Sequence, residues 1–331
     1  MDQTVKLQDV ADEAGVSIAT ASRALAGKDR VSRATTEIVM TAAKKLGYSV
    51  DPIARAMRDG MTRTVGMIVP VIGNPFFAEL VDAVEAELRL SGRELIIADS
   101  HGDVGQEARR LETLVGRRVD GILIVSQDHD LSVPAIRKAA RSVPVVQVDR
   151  KVGRISGDFV GVDNFIGMQL ILEHLVRRGV KSVVLASSDN ANSAGRSRRL
   201  AFEEITRDLP LVVQEHIIGD FSIEAGRRAG EELLRRKALP DAVVAGSDLT
   251  AFGVMSALIR SGVRIPDDVM VTGFDGTSFS AVFEPPLTTV AQPLAAIARD
   301  AAAFLGARIA DPNEPTRDSR IAPTLVIRES A

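Results

Sequence analysis

Residues 7–25, LQDVADEAGVSIATASRAL, leave the chain few ways to fold. Leu7, Val10, Ala11 and Ala14 recur at i, i+3, i+4 and i+7, one apolar stripe along a short helix. Gly15 follows, where the chain needs a residue that tolerates left-handed backbone. Val16 fills the corner, and Ser17 offers a side-chain oxygen as N-cap to a second helix, Ile18 to Leu25. On that helix Ala21 and Leu25 face the first. Ile18, Ala19, Ser22 and Arg23 project the other way, with no need of burial. Small alanines at the contact let the helices cross closely and steeply. This is helix-turn-helix geometry, with a second helix able to enter a DNA major groove. A helical hairpin packed on another part of the chain would show the same periodicity.

Ser32 caps a third helix, Arg33 to Leu46, closed by Gly47, whose apolar face is Val39, Ala42, Ala43 and Leu46. Three such helices make a unit of about 48 residues, near the lower limit for independent folding. Arg23, Lys28, Arg30 and Arg33 fall close together, where they could meet phosphates or simply form a solvated surface. The next stretch, YSVDPIARAMRDGMTRT (48–64), starts one to two turns of helix at Asp51-Pro52 and ends them at Gly60. Alone in water so short a helix is marginal. It is a linker, or a segment that folds when something holds it.

From Thr64 strands and helices alternate. Strands are expected at 64–70, 94–100, 121–126 and 143–149, then in a second series at 158–164, 182–188, 212–219, 241–247 and 269–275, with helices between. Near-continuous Val/Ile/Leu runs suit parallel strands covered on both faces. Two α/β halves of this kind face one another across a cleft, and ligands bind beyond the carboxyl ends of the strands. Residues 287–293, helix Leu294 to Ile309 and residues 324–329 have no partner in either series and are expected to cross back between the halves.

The chain's 331 residues hold no cysteine, so neither a disulfide framework nor a thiolate metal site. No secretory signal and no apolar run of membrane-spanning length appear, which points to the cytoplasm. Net charge is −3, and the first 63 residues carry ten Lys/Arg against eight Asp/Glu. Charge alone therefore does not announce a nucleic-acid binder. Dinucleotide, P-loop, G-x-S-x-G and H-E-x-x-H signatures are missing, and the four histidines lack ligand spacing. What the strand ends carry instead is polar and aromatic: Asn74, Phe76 and Phe77; Asp99; Asp149 and Arg150; Asp163 and Asn164; Ser247 and Asp248; Asp275. Carboxylates, Asn and Arg bind hydroxyls, and a Phe face covers the apolar side of a sugar or base. Helix capping explains Asn74, Asp163 and Ser247 or Asp248 equally well; it explains Asp149, Arg198, Phe221 and Asp275 less well.

The run from Asp9 through Arg23 matches D-V-A-x-x-A-G-V-S-x-x-T-x-S-R, and with ARAM (54–57), NPFF (74–77), VDR (148–150), RSRRLAF (196–202), GDFS (219–222), SD (247–248) and GFD (273–275) it resembles the lac repressor (LacI/GalR) family of bacterial regulators over essentially the whole chain. The resemblance implies an α/β protein: a headpiece over 1–48, a hinge over 49–63, and an effector-binding core over 64–331. That core would be built like a periplasmic binding protein from two doubly wound parallel-sheet subdomains, about 64–162 with 293–321 and about 163–291 with 322–331.

It also implies a homodimer that reads a pseudo-palindromic operator and answers to a sugar, sugar derivative or nucleoside. No enzyme activity, cofactor, metal or membrane is implied. Ile18, Ala19 and Arg23 would read bases, Ser17, Thr20 and Ser22 would meet phosphates, and Leu7, Arg30, Arg33 and Ala54 would complete the DNA interface. Met57 would wedge into the minor groove once the paired hinges fold on DNA. Asn74, Phe76, Phe77, Asp99, Asp149, Arg150, Arg198, Phe221 (as a stacking face), Ser247, Asp248 and Asp275 would hold the effector.

Overall fold

The computed structural model describes residues 5–25, 31–48, 61–153, 157–189 and 191–331. Lys28, Arg30 and the expected hinge helix with Ala54 and Met57 lie outside the described residues. The chain divides into two compact units, one up to Thr62 and one from Arg63 to Ala331.

The first unit is three helices, α1 (Leu7–Glu13), α2 (Ile18–Leu25) and α3 (Arg33–Leu46). Gly15 takes a φ of 64°, and the Val16 amide returns to the Ala11 carbonyl, which turns the corner after α1. Ser17 Oγ accepts from the Thr20 amide at 3.2 Å, the N-cap of α2. Ser32 does the same for α3 through Thr35, and Gly47 closes it at a φ of 66°. The core is small: Val10, Ala11, Ala21, Ala24, Val39, Ala42 and Ala43, with Leu7, Val16, Leu25 and Tyr48 against its edge.

The second unit holds two sheets. The first contains β1 (Thr64–Val69), β2 (Glu94–Asp99), β3 (Gly121–Ile124), β4 (Val145–Val148), β5 (Asp158–Val162) and β12 (Asp318–Ile321), all parallel, in the order β12-β5-β4-β3-β1-β2. Helices α4 (Pro75–Leu90), α5 (Val104–Gly116), α6 (Val133–Ala139) and α11 (Leu294–Ala310) pack on its two faces. The second contains β6 (Ser182–Ser188), β7 (Val212–Val213), β8 (Ile217–Gly219), β9 (Ala242–Ala245), β10 (Met270–Asp275), β11 (Thr288–Ala291) and β13 (Thr324–Val326). Helices α7 (Asn164–Arg177), α8 (Ser193–Thr206), α9 (Ile223–Arg235) and α10 (Asp248–Arg260) cover it.

Several details differ from the pattern read off the sequence. The 158–164 run does not open the second half: as β5 it pairs with β4 and closes the first sheet. The 212–219 run is two short strands, because both ends pair with β6 while Gln214 to His216 bow away. The 287–293 run does have a partner, since β11 pairs with β10. Its neighbour β13 is antiparallel, so the second sheet is mixed. The strand β12, DSRI, has no apolar run to announce it; it is a charged edge strand of the kind that blunts a sheet margin.

The chain passes between the two lobes three times: after β5 at Asp163, after β11 at Gln292 and Pro293, and after β12 at Ala322 and Pro323. Further hydrogen bonds tie lobe to lobe. The Ser278 amide and hydroxyl both donate to Glu79 Oε1, at 2.9 and 2.8 Å. The His129 amide donates to the Ala191 carbonyl, and the Lys151 amide to Ser193 Oγ.

Candidate functional site

In the first unit α2 leaves one face uncovered. Ala21 and Ala24 are buried, whereas Ser17, Ala19 and Arg23 are exposed and Ile18 is 46% exposed. An apolar side chain so open at the start of a helix is a contact waiting for a partner. Ser17 and Thr20 share a hydroxyl–hydroxyl hydrogen bond of 2.8 Å. Arg23 Nε donates to the Ala19 carbonyl, and Arg33 faces solvent beside Glu37. Leu7 is half-buried against the headpiece core.

In the second unit each sheet has a point where the connections part. The chain leaves β1 toward β2 on one side, while β3 lies on the other; β6 leads to β7 and β8 on one side, with β9 on the other. Such switch points leave a crevice beyond the strand ends. A cavity of about 660 Å³ spans both, lined from one lobe by Pro70, Asn74, Phe77, Gln127, Asp128 and Arg150 and from the other by Ser188, Asp189, Asn192, Gly219, Asp220, Phe221 and Leu249. Its size suits a small molecule.

Four charged side chains are buried there, Arg150 on the cavity wall and Asp149, Arg198 and Asp275 behind it. Arg150 Nε lies 3.7 Å from Asp149 Oδ2, and its guanidinium is 5.4 Å from the Phe77 ring centre. Arg198 Nη1 is 3.5 Å from Asp275 Oδ1, its Nε donates to Asn164 Oδ1 at 2.8 Å, and Nη1 donates to the Gly246 carbonyl. Its guanidinium lies 3.7 Å over Phe274 and 5.4 Å from Phe221. Burial pushes the Asp275 carboxyl up to about 8, against the pull of Arg198 and helped by Asp248 and Asp149. Burial also raises Asp149, against Arg150 and Arg198. Asp149, just past β4, and Asp275, the last residue of β10, both sit at positive φ, 61° and 130°, a strained backbone for residues other than glycine.

Buried polar atoms normally have partners. Here Asp149 Oδ1, Arg150 Nε, Gln127 Oε1, Ser187 Oγ, Ser188 Oγ and Gln292 Oε1 have none among the described residues. Of these, Gln127, Arg150 and Ser188 line the cavity, where a hydrogen-bonding ligand would be held.

The structure sorts the residues singled out from the sequence. Asn74, Phe77, Arg150 and Phe221 line the cavity. Asp149, Arg198 and Asp275 stand behind it in the charge cluster, with Asp149 also facing a second cavity of about 620 Å³ beside Asp163, Asn164 and Ser193. Phe76 turns into the core of the first lobe. Asp99 is spent on the Ile72 and His101 amides. Ser247 caps α10 through Thr250. Asp248 is fully buried and takes hydrogens from the Thr277 amide and hydroxyl and from Thr289. These four brace the site without lining it. Sequence reading missed Gln127, Ser188 and Asn192; the serine pair ending β6 was the available signal.

A headpiece offering one helix and a two-lobed body holding a polar crevice define, in one chain, a ligand-responsive DNA-binding regulator. The profile of bacterial regulatory proteins of the lacI family matches residues 6–51, and that of a periplasmic binding protein-like domain matches residues 172–331. The HTH-type transcriptional repressor PurR of Pectobacterium carotovorum subsp. carotovorum (strain PC1) is 32% identical over 98% of this chain and 96% of its own. The chain belongs to the lacI family of bacterial regulatory proteins; it is a transcription regulator and not an enzyme.

The lac repressor dimer bound to operator and the anti-inducer ONPF shares the fold, at a TM-score of 0.88, 24% identity and 99% coverage of both chains. A transcriptional regulator CelR–cellobiose complex matches at 0.75 with 30% identity, over 99% of this chain and 100% of that one. Among the described residues no helix is long and apolar enough to cross a membrane, and no cluster of His, Asp or Glu could hold a metal.

Proposed function

We propose that the protein is a homodimeric repressor that binds a pseudo-palindromic operator and changes its grip when a sugar or nucleoside enters the crevice between the lobes. The observation that carries this reading is the set of buried, unpartnered polar atoms where the two switch points meet, Gln127 Oε1, Arg150 Nε and Ser188 Oγ above all. Cellobiose in CelR, and ribose in a family regulator from Enterococcus faecium that is 28% identical over 81% of this chain (98% of its own, TM-score 0.70), favour a carbohydrate.

Asn74, Phe77, Asp149, Arg150, Arg198, Phe221 and Asp275 form the effector site. Ile18, Ala19 and Arg23 read bases; Ser17, Thr20, Ser22, Leu7, Arg30 and Arg33 hold the backbone; Ala54 and Met57 act from the hinge over 49–63. Dimerisation is supported by exposed apolar side chains on the core, Ile97, Ile223, Phe279 and Val282 among them. The place of action is the bacterial cytoplasm, at the nucleoid when operator is bound.

Effector binding changes the angle between the lobes and so couples two sites by about 1–3 kcal/mol. The test titrates labelled operator with full-length protein at saturating effector. A shift in operator affinity is expected. Unchanged affinity with a compound that demonstrably fills the crevice overturns the switch.

A further inference from the structure

We infer that the crevice selects an uncharged or cationic polyhydroxyl effector and turns away phosphorylated and other anionic ones; this rests on reading the crevice as the effector site. The first observation is charge. The ionised side chains lining the cavity are Asp128, Asp189 and Asp220 against Arg150. Arg150 is already answered by Asp149 at 3.7 Å, and its Nη1 reaches the Ser126 carbonyl at 3.4 Å. The deeper cation, Arg198, is held by Asn164, Gly246 and Asp275. Arg198 therefore presents no open two-pronged edge of the kind that grips a phosphate, and Arg150 already shares its charge with Asp149.

The second observation concerns helix ends. Five helix N-termini reach the cavity, those of α4, α5, α8, α9 and α10, and a helix N-terminus is the usual cradle for phosphate. Each carries a side-chain cap that already takes one or two of its amides. Asn74 Oδ1 takes the Phe76 amide at the start of α4. Asn192 Oδ1 takes the Ala194 and Gly195 amides of α8. Ser222 Oγ takes the Ala225 amide of α9.

The polar atoms left unpartnered suit hydroxyls. Gln127 Oε1 needs a donor, Arg150 Nε needs one acceptor, and Ser188 Oγ serves as either. A sugar or nucleoside hydroxyl meets all three without bringing charge. An added phosphate would face three carboxylates and a single arginine that already shares its charge with Asp149.

The test uses the full-length protein and matched pairs: ribose and ribose 5-phosphate, glucose and glucose 6-phosphate, adenosine and its 5′-monophosphate, with glucosamine as the cationic member. Thermal shift finds binders and calorimetry gives the constants. In each pair that binds, the phosphate ester should be weaker by at least about tenfold, as like-charge contacts impose. The double variant Asp189→Asn/Asp220→Asn should narrow that gap. A phosphate ester that binds as well as its parent overturns the inference, and so does a gap of the same size in the variant, which would mean rejection by shape. If no compound of either kind binds, the effector reading itself fails and the inference falls with it.

Discussion

Arg198 and Asp275 meet at 3.5 Å, one from the buried side of α8 and the other from the end of β10, with Phe274 packed under the guanidinium. Both are nearly inaccessible to water. Removing one partner of a buried pair strands the other. Arg198→Ala is therefore expected to lower the unfolding free energy of the core by about 3–5 kcal/mol in urea, and Arg198→Lys by less. A loss below about 1 kcal/mol for the alanine variant would show that the pair is not a strut of the second lobe.

Asp275 also sets a pH dependence. Its folded value, about 8, lies above the ordinary 3.8. Such a group contributes stability that is complete below about pH 4 and is lost as pH rises toward about 8, because the folded state holds the extra proton. Asp275→Asn removes that slope. The stability of the variant relative to the parent should rise steadily between about pH 5 and 8, measured by urea unfolding. Parallel curves would place the proton elsewhere.

Arg23 is the only base-reading candidate on α2 with a charged side chain, beside Ile18 and Ala19, which offer only apolar contact. Arg23→Ala should weaken specific operator binding by about 1–3 kcal/mol by fluorescence anisotropy. Effector affinity should stay as it was. Loss of both would make Arg23 a folding residue.

Helices α9 and α10 touch backbone to backbone at Gly226 and Gly253. A Cβ on Gly226 would collide with the Thr250 carbonyl oxygen, and one on Gly253 with the Ile223 carbonyl oxygen. Gly226→Ala should cost about 1–3 kcal/mol or more, since the obstruction is backbone rather than a mobile side chain. Unfolding midpoints with unchanged headpiece binding to DNA would check it.

The headpiece was legible because every signal in it is local: the stripe from Leu7 to Ala14, the Gly15 turn and the Ser17 cap lie within a dozen residues. The strands of the body were legible as apolar runs. Their assignment to sheets was not. By periodicity residues 158–162 look like the start of a second series; the family resemblance set the boundary at 162, and pairing with β4 is what holds them in the first lobe. The charged β12 is invisible to periodicity, since its order comes from pairing with β5.

The site shows the same divide. Strand ends singled out Asp149, Arg150 and Asp275, which the fold brings into one buried charge cluster. They left Asp248 open to a capping role and Asp275 less so; in the structure Asp248 is consumed by Thr277 and Thr289, while Asp275 takes a hydrogen from Gln292. Gln127 comes from the loop after β3, and Ser188 and Asn192 from the end of β6 and the loop that follows it, a convergence from two lobes that no spacing records.

The bonds that tie lobe to lobe carry a consequence for experiment. Ser278 to Glu79, His129 to Ala191 and Lys151 to Ser193 each use a neutral hydroxyl or main-chain donor; none joins two opposite charges. Ionic strength has little purchase on such contacts, whereas the grip of a headpiece on phosphates weakens steeply as salt releases counterions from the DNA. Salt therefore acts on one half of the regulatory response and leaves the other nearly untouched. A titration repeated across ionic strengths separates the energy of holding DNA from the energy of bending the core.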